Sequence, residues 1–458
     1  MADHTLSLTP PSDMSAAQRI SLGVLGLGVL LLLVGSLAHP VALPGLWAHL
    51  WAYGMLLSLI GGGAAYYYYR FGQGPAGIRN DGNFHRSATQ PWGAMAWILG
   101  LVFTGFYIIL YWWPEYLHSL IALVDPLFQH WFGRSGLPEN TGGYYNPWLA
   151  YGLLYSLAVL VMGIRFLYKY RHIRYQQVRT LSVMFFQLVF AFVLPNFLAA
   201  LNGQELYFHY FWPLDYDVLF PSSVATLTQG PAVAQFFFWW ALILAVPGTV
   251  VLTYFFGKRW YCSWVCGCGG LAETAGDPFR HLSDKSLRAW QIERYLIHGV
   301  LLVITVLTVG LLVNWQWSFL PQQWAEGAQQ GYGFLIGSVF AGVVGVGFYP
   351  LFGSRVWCRF GCPQAAILGI LQKYFSRFRI TTNGGQCISC GNCSTYCEMG
   401  IDVKWYAQRE QNIVRASCVG CGICSAVCPR GVLKLESGPT THKTVIHIDR
   451  DEVKLLEP

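Results

Sequence analysis

Apolar residues in this chain gather into blocks of membrane-spanning length, separated by polar connections rich in glycine, proline and charge. The first block runs from Ile20 to about Leu37. Others follow at about 47–69, 92–113, 147–168, 180–201, 233–256, 292–314 and 332–352. A helix needs about 20 apolar residues to cross the hydrocarbon core of a bilayer, so the pattern predicts about eight transmembrane helices. Residues 1–19 are polar, with Pro10 and Pro11, and read as a short tail. Asp3 and Asp13 stand there against Arg19, without the basic lead of a cleavable signal, so the first block is expected to remain as a helix.

Charge sharpens the pattern. Segment 70–91 carries Arg70, Arg79 and Arg86, and segment 165–179 carries Arg165, Lys169, Arg171, Arg174 and Arg179. Segment 257–294 carries Lys258, Arg259, Arg280, Lys285, Arg288 and Arg294. The alternate connections 39–46, 202–232 and 315–331 have no Lys or Arg, and 114–146 has only Arg134. Basic connections stay on the cytoplasmic side, so the alternation predicts a multi-pass protein of a bacterial-type inner membrane with both termini in the cytoplasm. Only 11% of the 458 residues are charged and 54% are hydrophobic, against about 25% charged in soluble domains. The net charge of +7 is accounted for by these connections and implies no nucleic acid.

Trp112, Trp113, Trp148, Trp315 and Trp317 fall at the outer ends of their blocks, where aromatic girdles belong. Gly342, Gly345 and Gly347 would let the last helix approach a neighbour. Of the outer loops, 202–232 holds Tyr207-Phe208-His209-Tyr210-Phe211-Trp212 and then Asp215 and Asp217, read as an interfacial plug with acids beside it. The expected division is a tail at 1–19, a bundle at 20–356, and a basic, partly helical membrane-proximal linker at 357–379. A soluble unit at about 380–436 and a charged tail at 437–458, with a possible strand at Thr444–Ile448, complete it.

The soluble unit carries the chemistry. From Cys387 the chain reads Cys-x2-Cys-x2-Cys-x3-Cys, and after twenty residues Cys-x2-Cys-x2-Cys-x3-Cys-Pro. This doubled spacing matches the bacterial ferredoxin run that holds two [4Fe–4S] clusters. A tight loop supplies three thiolates to a cubane, and the fourth comes from the distant repeat. Cys387, Cys390, Cys393 and Cys428 are therefore expected on one cluster, and Cys418, Cys421, Cys424 and Cys397 on the other. Zinc sites pair two Cys-x2-4-Cys knuckles and rarely show this tandem. The fold class is mainly α: a polytopic membrane helix bundle with a C-terminal α+β ferredoxin domain of the two-[4Fe–4S] type.

A second constellation sits at helix ends. Cys262 and Cys266 follow the sixth block, with Cys268 as a fifth thiol nearby, and Cys358 and Cys362 follow the eighth. Each pair is spaced i, i+4, which on a helix puts both thiols on one face. The sixth and eighth helices run the same way, so four thiols can meet if these helices are neighbours. The options are a further iron–sulfur or other metal centre, a redox-active thiol or copper site, or unligated buried cysteines. Heme finds thin axial candidates in His39, His49 and His298. No phosphate-binding glycine loop appears, and ionisable residues inside the blocks are too few for a transporter.

Two Cys-x3-Cys pairs at membrane ends, the second followed by Pro363, upstream of a twin-cluster run resemble the polyferredoxin-like membrane family. That family includes the quinol-dehydrogenase subunit of periplasmic nitrate reduction, the membrane regulator of nitrous oxide reduction and an accessory protein of heme–copper oxidase assembly linked with copper reduction. The resemblance covers about residues 233–436. It implies electron exchange between a cytoplasmic or quinone-pool donor and a membrane or outer-face redox partner such as a cytochrome, within a larger complex. The alternative it implies is a copper-handling assembly factor. Two departures stand out: Gly267-Cys268 replaces Pro after the first pair, and Glu398 follows Cys397 where Pro429 follows Cys428.

Overall fold

The computed structural model describes residues 14–37, 45–72, 93–138, 145–376 and 378–437. Pro10, Pro11, Arg79, Arg86 and the strand expected at Thr444–Ile448 lie outside the described residues. The long helices are α1 (Ala16–Leu37), α2 (Gly45–Tyr67), α3 (Ala94–Trp112), α4 (Pro147–Lys169), α5 (Arg174–Leu201), α6 (Ala232–Phe256) and α7 (Leu287–Trp317). The eighth, α8, passes from Gln322–Tyr332 directly into Gly333–Val344. Six of these, α1 and α3 to α7, are long and apolar enough to cross a membrane. The other two fill predicted blocks, but tryptophan, tyrosine and glycine dilute α2, and four glutamines dilute the first turns of α8. The lipid-facing belt is explicit in side chains such as Leu101 and Val306, both more than three-fifths exposed.

Glycines set the closest helix crossings. A Cβ on Gly342 would lie 2.6 Å from the Tyr111 ring, and one on Gly347 would lie 3.0 Å from Thr104 Cα, so α8 and the turn after it meet α3 through the stripe expected from sequence. Regular helix also gives way inside three of the membrane-length helices. α5 widens into a π-helical stretch at Phe186–Val193, α6 at Leu244–Gly248, and α8 through Gly333–Val344. In α6 the cause is Pro247, which offers no N–H to the helix ladder. Such stretches recur at functional sites.

The segments after α6 and α8 do not stay at the end of the bundle. After Gly257 the chain forms two short helices, Trp260–Trp264 and Gly267–Glu273, that turn back inside. Ser182 donates to the Trp264 carbonyl at 3.1 Å, Gln187 to the Val265 carbonyl at 2.7 Å, and Tyr155 to the Gly267 carbonyl at 2.6 Å. At about 1.5 Å rise per residue, Gln187 lies about 20 Å along α5 from Arg174, and Tyr155 about 12 Å along α4 from Pro147 at the opposite end. Gly267 is thus the tip of a re-entrant hairpin deep in the bundle.

From the opposite end the predicted plug comes down to meet it. Tyr261 donates to the His209 carbonyl at 2.7 Å, Trp240 to the Phe208 carbonyl at 2.8 Å, and Trp212 to Thr308 at 3.1 Å. Irregular backbone at this depth is tolerated where protein buries it, and these donors supply the partners that lipid cannot. The aromatic stretch therefore extends well beyond the interface where the sequence reading put it.

The C-terminal unit is a small α+β head. Strand β1 (Phe378–Thr382) pairs antiparallel with β2 (Leu433–Ser437), Phe378 opposite Ser437 and Thr382 opposite Leu433. The strands tie the start and end of the unit, and both cysteine runs hang between them, each holding one turn of helix, Asn392–Thr395 with Cys393 and Ile423–Ala426 with Cys424. The stretch expected as a linker contains helix Pro363–Phe375, which packs on both α6 and α7 with Ala365 and Leu368 fully buried.

Candidate metal centres

Two small cavities of equal volume open inside the head. Cys387, Cys390, Cys393 and Cys428 line one, and Cys397, Cys418, Cys421 and Cys424 line the other. These are the two sets expected from the spacing. Among the described residues no three His, Cys, Asp or Glu side chains are placed to hold a single metal ion. A zinc ion needs ligands at about 2.0–2.3 Å, so four thiols spaced around a cavity fit a larger, multi-iron core better.

The two cavities have different surroundings. In the first, Cys390 is exposed, and Lys404 and Arg430 form part of the rim. In the second, Cys418 and Cys424 are buried, and the backbone around them is held by the bundle. Tyr175 donates to the Gly420 carbonyl at 2.8 Å, Gln176 to Cys421 at 2.5 Å, Ser263 to Val419 at 2.8 Å and Arg259 to Ala416 at 2.8 Å. The second cavity is therefore the inner one, and Ser263 ties it to the helix Trp260–Trp264 that holds Cys262.

All five remaining cysteines meet below it. Cys262, Cys266, Cys358 and Cys362 are buried and Cys268 is partly so, and their thiols interact electrostatically with one another. The way they meet differs from the helical-face expectation. Cys262 lies in helix Trp260–Trp264, but Cys266 is the extended residue that caps the next helix, and Cys362 caps helix Pro363–Phe375 in the same manner. A thiolate at a helix N-terminus is stabilised by the unpaired N–H groups and the dipole there. The replacement of proline by Gly267 also has a cause: a Cβ at that position would sit 2.5 Å from the Tyr210 hydroxyl and 3.0 Å from that of Tyr155.

A feature missed in the sequence organises this site. Gly257-x-Arg259-x2-Cys262-x3-Cys266 and Gly353-x-Arg355-x2-Cys358-x3-Cys362 are one motif written twice. Both glycines end a helix with positive φ, 63° and 90°, the region that favours glycine. Both arginines are buried and reach across to the other copy. Arg259 donates to the Cys358 carbonyl at 2.9 Å, and Arg355 donates to the Cys262 carbonyl at 3.1 Å and lies 3.9 Å from Cys358 Sγ.

Buried charge then locks head to bundle. Glu398, fully buried, lies 3.0 Å from Arg355 and 3.1 Å from Arg280. Glu273 pairs with Arg179 and stands 3.6 Å from Arg355, and Asp277 joins Arg165 at 2.5 Å, Lys169 at 2.8 Å and Arg280 at 3.3 Å. Burial pushes the Glu398 carboxyl up, but Arg280, Arg355 and Arg179 outweigh it and hold the group below the usual carboxylate range. Asp277 behaves alike, with Lys169, Arg165 and Arg280 overcoming its burial. The departure after Cys397 is thereby explained: a proline there would leave two buried guanidinium groups short of a carboxylate.

Of the histidines weighed for heme, His39 lies outside the described residues. His49 packs on His130 and Tyr53 at the far end, and His298 lines a cavity at the head end, so these two do not face one site.

Comparison with known proteins agrees with this geometry. A family signature described as a 4Fe-4S binding domain matches twice, at residues 237–286 and 334–382, and one described as a 4Fe-4S dicluster domain matches residues 386–433. The double match coincides with the two Gly-x-Arg copies. The methylamine utilization ferredoxin-type protein MauN of Methylobacillus flagellatus is 31% identical over 33% of this chain and 54% of its own length. The ferredoxin-type protein NapH of Escherichia coli is 28% identical over 34% of this chain and 53% of its own. MauN of Paracoccus denitrificans is 28% identical over 33% of this chain and 54% of its own. The chain thus spans about half the length of these curated relatives, and no solved structure matches it. With its doubled helix-end cysteine motif and twin-cluster head, the chain is similar to the polyferredoxin-like membrane iron–sulfur proteins over its two 4Fe-4S binding matches and its dicluster match.

Proposed function

We propose that this chain is a membrane electron-transfer protein that links a cytoplasmic or quinone-pool donor to a redox partner at the opposite face. In this reading Cys387, Cys390, Cys393 and Cys428 hold one [4Fe–4S] cluster, and Cys397, Cys418, Cys421 and Cys424 hold a second. Cys262, Cys266, Cys358 and Cys362 hold a third iron–sulfur centre. Such clusters supply one-electron chemistry when bound. The chain's own residues fix the three sets in series. The single observation that carries the reading is the placement of the re-entrant cysteines between the inner head cavity and the aromatic loop from the far end. The alternation of basic connections supports a cytoplasmic head.

Iron and acid-labile sulfide counts with EPR test it. About twelve irons per chain are expected, falling to about eight in Cys358→Ser. A wild-type count of about eight with unchanged EPR in Cys358→Ser would overturn the third centre. Failure of the reduced protein to be reoxidised by any quinone or cytochrome would overturn electron transfer itself.

The fifth thiol, Cys268, beside Cys266, favours a second reading in which the site handles Cu(I), a soft ion that prefers thiolates. Copper titration distinguishes the two, and binding no tighter than in Cys262→Ser/Cys358→Ser would dismiss it.

A further inference from the structure

The two arginines of the repeated motif are not balanced alike. Arg355 meets the carboxylates of Glu398 and Glu273. Arg259 is 2% exposed and donates only to the carbonyls of Ala416 and Cys358. Among the described residues no carboxylate stands within ion-pair distance of it. Its negative neighbours within the chain are the Cys262 and Cys358 thiols on one side, and on the cavity side no carboxylate pairs with it. Arg259 lines a cavity of about 380 Å³ between α7, helix Pro363–Phe375 and the backbone before Cys418.

Three more cations line the same cavity. Arg294 and Lys373 are exposed, and Arg415 lies over the Trp290 ring at 4.6 Å. The acid in the lining, Glu293, is already committed to Arg359 at 2.7 Å. Four positive groups thus surround a space with no free negative one, which selects an anion over a neutral ring.

The depth of the cavity identifies the kind of anion. α7 has 31 residues, about 46 Å at about 1.5 Å per residue, against a hydrocarbon core of about 30 Å. With Trp315 and Trp317 anchored at the far interface, the first turns of α7, including Arg294, stand in the headgroup layer. Ile370 and Tyr374, 43% and 68% exposed, flank the mouth and offer apolar surface to acyl chains. Basic pockets between helices on the cytoplasmic side of a membrane bind anionic headgroups.

We infer that this cavity is a binding site for an anionic phospholipid, whose phosphate enters among Arg259, Arg294, Lys373 and Arg415. The bound headgroup gives Arg259 an anionic neighbour on the cavity side, and through that residue it abuts both the inner head cavity and the second copy of the cysteine motif.

Native mass spectrometry of the full chain in detergent, titrated separately with phosphatidylglycerol and phosphatidylcholine, tests the inference. One phosphatidylglycerol per chain should bind at least about tenfold more tightly than phosphatidylcholine. In Arg294→Gln/Lys373→Gln, which changes only exposed side chains and so leaves folding intact, retention should weaken about thirtyfold, the loss of two such charges. Equal retention of the two lipids, or unchanged retention in the double variant, would overturn the site. Inorganic phosphate at the same concentration should leave the lipid bound. Its displacement of the lipid would reassign the pocket to a soluble phosphate and overturn the lipid.

Discussion

The two cavities of the head share one cysteine spacing and one size, and they face different neighbours. The outer one, with Cys390 exposed, has Lys404 and Arg430 at its rim. The inner one is held by Tyr175, Gln176, Ser263 and Arg259, every one of them contributed by the bundle. The motif therefore says what is bound, and the surrounding side chains decide what it can reach. An outer site is open to a soluble partner, and an inner site is joined to the membrane.

The largest expected difference comes from deleting one ligand on each side. Both Cys424→Ser and Cys390→Ser should lower the iron count by about four per chain. Only Cys424→Ser should also make the head susceptible to limited proteolysis, because only the inner site underlies the docking surface. Equal proteolysis in the two variants would erase the distinction drawn above.

Next in size is the residue that follows each fourth cysteine. Glu398→Gln leaves Arg280 and Arg355 buried beside a neutral amide, and breaking a buried pair costs about 3–5 kcal/mol. Pro429→Ala, at the exposed counterpart, should cost less than about 0.5 kcal/mol, as surface substitutions do. Denaturant unfolding of the two variants gives both numbers.

The same carboxylate predicts a pH effect with a definite sign. Glu398 is held below its ordinary value of 4.5 in the folded chain. Its contribution is therefore complete above that value and drains away as pH falls below it. Proteolytic release of the head should stay flat from neutral pH down to about 4.5 and rise below, a trend that Glu398→Gln should blunt.

The smallest effect belongs to the outer rim. Lys404→Gln/Arg430→Gln should slow reduction by an acidic soluble donor several-fold at low salt and leave the rate at high salt unchanged, since exposed charge steers encounters and is screened. A rate change that persists at high salt would mean these residues do more than steer.

Much of this was legible from residues alone. The doubled spacing from Cys387 to Cys428 assigned each thiol to the cavity it lines, because a short loop cannot wrap a cubane and the fourth ligand has to come from afar. The apolar blocks located the long helices, although α2 and α8 are weaker spans than their neighbours. Other features were hidden for physical reasons. Spacing of i, i+4 suggests a shared helical face, but Cys266 and Cys362 end their turns in extended backbone and cap the next helices. Hydropathy could not show that Trp260–Gly267 folds back inside, since an aromatic segment looks the same at an interface and in a core. Glu398 was visible as a departure from proline, but its two arginines lie 43 and 118 residues away in sequence. The repeated Gly-x-Arg lead was readable all along and would have paired the two halves of the site.

The exchange of arginines between the two copies also dictates an order of biogenesis. The Cys262 carbonyl waits for Arg355, and Arg259 waits first for Cys358 and then for Ala416 near the end of the chain. No complete pocket exists while only the first copy has left the ribosome. The deep site is therefore complete only after both copies of the motif have been made, so any centre that the proposed function places there would have to be delivered after α8.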